Sequence, residues 1–263
     1  MNNLITCTPR SLPSDLWISA AQRAVQINPA NHPPPGRIPR SAGGMAPDLR
    51  RIAVETGKRW RTTGVRLTVS FLDNPPADLR ARILSHMNAW AKSANVEFTE
   101  SNTDPQVRIA RLDSPPDKAG YWSYVGTDIL SIPADKPTMN LESFTMNESE
   151  SEFCRVVRHE TGHTLGFPHE HMRREFVNKI DPEKAIAFYG KTQGWNPDEV
   201  YQQVLTPIEE VSILGTLHAD QNSIMCYQIP GTITKDGMPI IGGVDIDEQD
   251  YAFASSIYPK SVT

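Results

Sequence analysis

Residues 159–170, HETGHTLGFPHE, gather side chains of the types that bind a metal ion. His159 and His163 are four positions apart, so on a helix both imidazoles project from one face about one turn apart. That spacing lets both rings reach one zinc ion at ~2.0–2.1 Å. Gly166 can adopt a positive φ and turn the chain, which would return His169 as a third ligand. Three protein ligands leave a position for water, which is the pattern of a catalytic zinc site rather than a closed structural one.

Glu160 directly follows the first of these histidines. A carboxylate at that position can stand beside a water activated by the metal and take its proton as a general base. In a shuffled chain of this composition the pattern HExxH would occur about 0.01 times, so chance is a poor explanation for it. The residues therefore predict metal-dependent hydrolysis.

The composition excludes several function classes. The chain has 263 residues, with 26 Lys and Arg against 31 Asp and Glu, and the net charge of −5 argues against a nucleic-acid partner. No apolar stretch approaches the ~18 residues that a membrane span needs. Three cysteines do not make a disulfide framework, and the N-terminus lacks the features of a Sec-type signal peptide. We expect a monomer that is cytoplasmic or exported by a non-classical route.

Hydrophobic periodicity predicts a sheet with a crossover helix. Alternating apolar residues indicate strands at 65–72, 96–100 and 106–112, and one or two strands within 120–133. An amphipathic helix at 75–94 follows the first strand, which favours a mixed sheet. Further helices are predicted at 14–27, 151–166, 180–190, 195–205 and 245–259.

The metal motif extends into a longer pattern that resembles a family. HETGHTLGFPHEHMRRE (159–175) resembles HExxHxxGFxHExxR, the pattern of the astacin-like metzincin proteases. SIMCY (223–227) resembles the Met-turn of that family, with Cys226 in place of the usual histidine. The resemblance covers roughly residues 58–259, and the cysteines of the two usual family disulfides are absent. Three further positions match the longer pattern: Phe167, Glu170 and Arg173.

This resemblance implies an α+β, metzincin-like fold, with a twisted mixed sheet, long helices, an active-site helix and a Met-turn. It implies a zinc-dependent endopeptidase for protein or peptide substrates, with Glu160 as general base. One zinc ion per chain would be bound by His159, His163 and His169. An extended substrate would pair with a strand within 120–133 at the edge of the cleft. The alternative is a catalytically inert zinc-binding module of the same fold, which would not need Glu160.

The resemblance also assigns roles around the metal. Tyr227 would be a further zinc ligand in the resting enzyme and would then hydrogen-bond the oxyanion, since a phenol can donate to developing negative charge. The alternative for Tyr227 is a strand tyrosine packed in the core. Met225 would form the apolar floor beneath the histidines. Glu170 either binds the mature N-terminus through water, as in the family, or is an ordinary hydrogen-bonding carboxylate.

Residues 1–57 lie outside the resemblance and form a predicted N-terminal extension, with a helix at 14–27 and a proline-rich linker at 28–39, ahead of a catalytic domain at 58–263. We expect residues 1–47 to pack away from the cleft and to stabilise that domain.

Several cysteine and histidine assignments stay open. Cys7 is an alternative candidate for a latency thiolate on the zinc. A bridge between Cys154 and Cys226 is a further possibility. His171 lies two residues after a predicted ligand and is expected to face solvent.

Overall fold

A five-stranded sheet forms the centre of the structure, a computed structural model that describes residues 7–8, 10–33, 56–115, 118–207 and 219–260. Its strands are β1 (Val65–Phe71), β2 (Val96–Glu100), β3 (Val107–Ala110), β4 (Tyr121–Ser123) and β5 (Met139–Leu141). They lie in the order β2-β1-β3-β5-β4. The first three pairings are parallel and β4 is antiparallel to β5, so the sheet is mixed, as predicted.

The helices pack around this sheet. The helix Ala77–Met87, α2 below, runs between β1 and β2 and covers the sheet as a crossover helix. The helix that begins at Glu150, α3 below, carries the metal motif. The bounds are α1 (Trp17–Ile27), α2 (Ala77–Met87), α3 (Glu150–Glu152, Phe153–Arg158 and His159–Thr164 in continuous succession), α4 (Arg174–Val177), α5 (Pro182–Gln193), α6 (Pro197–Val200) and α7 (Glu248–Ile257). Short 3-10 turns lie at Pro29–Asn31, Asn88–Lys92, Gly126–Ser131, Glu170–Met172 and Gly231–Ile233, and a π-helical turn at Tyr201–Leu205 follows α6. No helix in the described part of the chain is both long enough and apolar enough to cross a bilayer.

Two apolar clusters build the core. The larger one joins the sheet to α2, α3 and α7, and includes Val69, Ile83, Trp90, Ile109, Phe153 and Val157. The smaller one lies in the C-terminal half and includes Phe176, Ile180, Tyr189, Val204, Ile229 and Ile233. A cleft lined by residues of both clusters includes His159 and Glu160 of the metal motif. The motif therefore lies where the two halves of the molecule meet.

The stretch 120–133, predicted to hold one or two strands, contains one short strand. Only Tyr121–Ser123 is a strand, and a 3-10 turn follows at Gly126–Ser131. Gly126 has φ +50° and packs against the backbone carbonyl of Lys58, where a Cβ atom would not fit. The strand β5 was missed, because three residues are too few for a periodic signal.

The prediction that residues 1–47 pack away from the cleft is wrong for their first described residues. The Thr8 N–H donates to the Tyr121 carbonyl and the Arg10 N–H to the Ser123 carbonyl, both at 3.0 Å. The segment thus runs parallel to β4 along its outer edge. An exposed strand edge offers unpaired backbone groups, and these pair with the extended segment. The cleft is therefore occupied by the N-terminal segment of the same chain.

Helix α1 does dock on the core, as its apolar spacing predicted. Ala20 and Ala24 are buried, and Arg23 donates to the Leu130 carbonyl at 2.6 Å. The chain after α1 is held by Asn31, which donates to the carbonyls of Ala24 and Arg59 at 2.9 Å each. These contacts join the N-terminal segment to the start of the predicted catalytic domain.

Candidate active site

Helix α3 positions the first half of the motif. Its π-helical turn, Phe153–Arg158, ends immediately before His159, and single π turns in α-helices frequently occur at functional sites. The following α-helical turn places His159 and His163 one turn apart, as predicted, with Glu160 between them. All three side chains are buried in the cleft.

The turn after α3 returns the third histidine. Gly166 has φ +94°, a conformation that favours glycine, and the Phe167 N–H donates to the Gly162 carbonyl at 3.0 Å. The His169 Nε2 consequently lies 3.1 Å from the His159 Nε2 and 3.0 Å from the His163 Nε2. The structure therefore brings together the three predicted ligands.

The second nitrogen of each helical histidine is held by a backbone carbonyl. The Nδ1 of His159 lies 2.6 Å from the Ile224 carbonyl and that of His163 lies 2.8 Å from the Phe167 carbonyl. Since a carbonyl only accepts, each Nδ1 carries the hydrogen and each Nε2 presents a lone pair. A tetrahedral ion with Zn–N bonds of ~2.0–2.1 Å would place such nitrogens roughly 3.3 Å apart. The observed spacing fits a zinc ion after a small relaxation.

The Met-turn contacts both His159 and Gly162 of α3. Asp250 of α7 accepts hydrogen bonds from the Ser223 hydroxyl at 2.6 Å and from the Ile224 N–H at 2.8 Å. The carbonyl of Ile224 is the one that orients His159. Met225 packs against Gly162 on α3, so tightly that a Cβ atom on Gly162 would overlap its sulfur. The predicted role of Met225 as an apolar floor agrees with this packing.

Glu160 and Tyr227 both end in the cleft without a hydrogen bond. The two carboxylate oxygens of Glu160 and the hydroxyl of Tyr227 are buried. None of these three atoms has a hydrogen-bond partner among the described residues. Buried polar atoms without partners are costly unless a ligand, ion or water satisfies them. Burial raises the pKa of Glu160 to about 8, and the Cys7 thiol and Arg155 offset part of the rise. Burial also raises the pKa of Tyr227, and nearby Cys7 and Glu160 raise it further. Both groups therefore lack a partner in the cleft that His159 also lines.

Cys7 completes the cluster. Its sulfur and the ligand nitrogens of His159, His163 and His169 all lie within 4.8 Å of one another, and all four side chains are buried. A set of three imidazoles and one thiol is built from donor types that zinc prefers. Burial raises the pKa of the Cys7 thiol well above its usual value, so a bound cation would be needed to favour its thiolate. Cys7 is thus a fourth candidate ligand.

Sequence reasoning did not single out Arg155, which also lines this cleft. It lies four residues before His159, and the same helical spacing that paired the histidines could have placed it on this face. Its Nε and Nη2 donate to Glu152 at 3.0 and 2.6 Å. The Arg155 guanidinium is therefore held at the cleft wall by an ion pair with Glu152 within α3.

The structure also shows the surroundings of Glu170, His171 and the two cysteines Cys154 and Cys226. Glu170 is a hydrogen-bonding carboxylate that accepts from Arg173 at 2.9 Å and from the Asp220 N–H at 3.1 Å. Cys154 and Cys226 are free, buried thiols, so the bridge considered between them is not formed. His171 is fully buried rather than exposed, because its ring stacks on Tyr227.

A second group of potential ligands, His86, Glu150 and Cys154, does not form a metal site. The Nδ1 of His86 accepts a hydrogen bond from the Arg158 Nε at 3.3 Å, so the hydrogen of the neutral ring lies on Nε2. That Nε2 lies 3.4 Å from the Glu150 carboxylate. The Nδ1 lone pair accepts the Arg158 hydrogen bond and Nε2 carries the hydrogen, so neither nitrogen of His86 offers a lone pair to a metal ion.

Comparisons with known proteins show which chains this one is similar to. A zinc metalloproteinase of Caenorhabditis elegans, nas-27, is 31% identical over 147 residues, which are 53% of this chain and 30% of that protein. The chain thus spans about a third of that relative. The structure of myroilysin is similar, with 28% identity and a TM-score of 0.71 over 78% of this chain and 97% of that one.

A hatching enzyme zinc-protease of the medaka Oryzias latipes shares the fold, with 17% identity and a TM-score of 0.51 over 78% of this chain and 94% of that one. The model of one peptidase family, Astacin, matches residues 53–246, which is most of the chain. This match contains α3, the turn at Gly166 and the Met-turn. The chain therefore belongs to the astacin family of peptidases.

Proposed function

We propose that this protein is a zinc-dependent endopeptidase. The observation that carries the proposal is the convergence of three imidazoles, in which the His169 Nε2 lies 3.0–3.1 Å from the other two Nε2 atoms, beside the unpartnered carboxylate of Glu160. His159, His163 and His169 would hold the ion. Family membership supports the same reaction class. The lone pairs on the Nε2 atoms match what zinc requires of neutral histidines.

Glu160 and Tyr227 are the proposed catalytic residues. When bound, zinc would supply Lewis acidity to the scissile carbonyl and to water. Glu160 takes a proton from the attacking water and passes it to the leaving amine. Tyr227 donates its phenol hydrogen to the oxygen on which negative charge develops. Because the cleft is buried, these hydrogen bonds act where water competes little.

Extended peptides are the proposed substrates. The outer edge of β4 offers its backbone to a strand, and the segment from Cys7 to Arg10 already occupies it. A substrate would add to this edge in the same way. The same cleft is lined by the exposed aliphatic side chains Ile241 and Val244, which would suit apolar side chains of a substrate. Substrate and N-terminal segment would therefore compete for one site.

Cys7 would keep the full chain latent. Its thiol lies within 4.8 Å of the ligand atoms of all three histidines, where substrate and water would need access. Backbone pairing with Tyr121 and Ser123 holds it there. Withdrawal of this segment opens both the metal site and the strand edge. Activity of the full chain is then controlled by the position of its own N-terminal segment.

Digestion of a peptide library tests the function directly. The Cys7→Ser protein is incubated with the library alone, with a chelator, and with zinc restored after chelation. We expect cleavage within peptides, its loss on chelation and its return with zinc. Cys7→Ser protein that binds one zinc per chain and cleaves no peptide would instead favour the inert zinc-binding module.

A further inference from the structure

His171 is a fully buried imidazole that the proposed reaction does not use. It belongs to the short turn Glu170–Met172, directly after the third metal ligand. Its ring stacks on that of Tyr227, with centroids 3.9 Å apart and planes 16° from parallel. It therefore contacts the residue proposed to stabilise the oxyanion.

Two hydrogen bonds fix the His171 ring in one orientation. Its Nε2 lies 2.9 Å from the Gln203 carbonyl, and its Nδ1 accepts from the Tyr227 N–H at 3.4 Å. A carbonyl can only accept and an amide N–H can only donate, so the ring is the neutral tautomer with hydrogen on Nε2. His171 thus ties the backbone of Tyr227 to the turn at Tyr201–Leu205.

The phenol end of Tyr227 has no comparable anchor. Its hydroxyl is buried and has no hydrogen-bond partner among the described residues. The orientation of the ring therefore depends on the rings beside it: His171 stacked on it, and His169 at 4.3 Å with a tilt of 56°. The His171 contact is the more nearly parallel one and is reinforced at the backbone.

We infer that His171 is a positioning residue for Tyr227, which holds the ring and the amide of Tyr227 so that the phenol faces the histidine cluster. This inference rests on the proposed function, in which Tyr227 is the oxyanion donor. A donor acts well only when it is held in place before charge develops. Without His171, the Tyr227 ring would keep its hydroxyl but sample more orientations.

Three substitutions at His171 separate the contacts. His171→Leu removes the stacking ring and both hydrogen bonds. His171→Gln keeps an acceptor for the Tyr227 N–H and a donor for the Gln203 carbonyl, but not the ring. His171→Phe keeps a ring and loses both hydrogen bonds. Each is made in the Cys7→Ser protein, with and without Tyr227→Phe.

The matched control is His86→Leu. His86 is also buried, bonds through both ring nitrogens and contacts an aromatic ring, Phe153, at 5.2 Å. It does not contact Tyr227. A general loosening of the fold would appear in this variant as well, whereas loss of Tyr227 positioning would not.

The kinetic measurement is a double-mutant cycle. We expect His171→Leu to lower kcat ~10-fold with little change in KM, which is part of the ~10²–10³-fold loss that follows removal of an oxyanion donor. In the Tyr227→Phe background the same change should alter kcat by less than ~2-fold, because the group it positions is gone. His171→Gln and His171→Phe should each recover part of kcat. Fully additive losses would overturn the inference.

A spectroscopic measurement reports on Tyr227 without catalysis. The seven tyrosines are replaced by 3-fluorotyrosine, and the fluorine resonance of Tyr227 is identified by its absence in Tyr227→Phe. We expect His171→Leu to shift and broaden that resonance and His86→Leu to leave it unchanged. An unshifted resonance in His171→Leu would contradict the inference. If the Cys7→Ser protein cleaves nothing, the proposed function fails, while the fluorine spectra still decide whether His171 holds Tyr227.

Discussion

The backbone N–H of Thr8 donates to the carbonyl of Tyr121 at 3.0 Å, and this bond fixes how far the N-terminal segment enters the cleft. The preceding residue, Cys7, is thereby placed within 4.8 Å of the ligand atoms of all three histidines. Pairing with the edge strand β4 thus places Cys7 beside the metal motif.

Substitution of Cys7→Ser should increase the specific peptidase activity of the full chain. Loss of the sulfur would remove the proposed fourth zinc ligand from the closed state but leave the strand pairing, so the closed state should be weakened. We expect a rise of at least about tenfold, which corresponds to a shift of about 1.4 kcal/mol in the equilibrium. Peptide hydrolysis at equal zinc content measures it.

Cys154→Ser is the control for that comparison, because Cys154 is also a buried free thiol but does not belong to the histidine cluster. It should leave activity unchanged. Equal activities of wild type and Cys7→Ser would show that the segment is not inhibitory and that residues 1–47 act only on stability.

Replacement of one helical histidine should abolish tight zinc binding. His163→Ala leaves two histidines, and we expect zinc affinity to fall by more than ~100-fold, since even removal of a supporting group outside the ligand set costs ~10–100-fold. Metal analysis after dialysis measures the zinc content. His86→Ala, in the cluster judged unable to bind metal, should retain one zinc per chain. Stoichiometric zinc in His163→Ala would refute the ligand assignment.

Gly162→Ala should destabilise the fold although alanine favours helices. A Cβ atom on Gly162 would overlap the Met225 sulfur, so the Met225 side chain must leave its packed position or α3 and the Met-turn must separate. We expect a loss of about 1–3 kcal/mol in the free energy of unfolding, the usual cost of overpacking a core. Urea unfolding of the full chain measures it.

Gly190→Ala provides the matched comparison within α5. A Cβ atom there meets only the Trp195 carbonyl oxygen, at 3.4 Å. This variant should gain about 0.5–1 kcal/mol, because alanine has the better helix propensity. If both alanine variants had the same stability, close packing of Gly162 on the Met-turn would not be the relevant constraint.

Asp250 should make stability depend on pH in a definite direction. Burial raises the pKa of its carboxyl to about 6, above the ~3.9 of an unfolded chain. Between these values the folded state keeps a proton that the unfolded state has lost, so this group lowers the free energy of unfolding as pH rises from about 4 to 6.

Asp250→Asn keeps an oxygen for the Ile224 N–H but cannot ionise. Relative to wild type its stability should therefore rise with pH, by at most about 3 kcal/mol across that window. Urea unfolding at pH 4, 5, 6 and 7 measures the difference between the two proteins. A difference that is constant with pH, or that falls as pH rises, would contradict the prediction.

Local spacing predicted which three histidines come together. His159 and His163 share a helix, and His169 follows after one glycine turn, so sequence distance and spatial distance agree. The helices and the longer strand signals were placed to within a few residues, apart from 120–133. Patterns of 3.6 and 2 residues depend on neighbours along the chain, which a single sequence displays.

Contacts between distant parts of the chain were not predictable in this way. Cys7 reaches the site by pairing with β4, far along the sequence, and a single sequence does not specify which strand an extended segment joins. His171 is expected to face solvent from its place two residues after a predicted ligand. It is buried because its ring stacks on Tyr227, whose position depends on the fold of the Met-turn. Both errors concern residues whose partner lies on another element.

The proposed role of Glu160 as the base of a zinc endopeptidase is decided by one comparison. Cleavage of a peptide substrate is measured for Cys7→Ser and for Cys7→Ser with Glu160→Ala, each shown to contain one zinc per chain. We expect kcat/KM to fall by ~10²–10⁴-fold in the second protein, the usual contribution of a general acid–base group. Near-equal kcat/KM values at equal zinc content would contradict it.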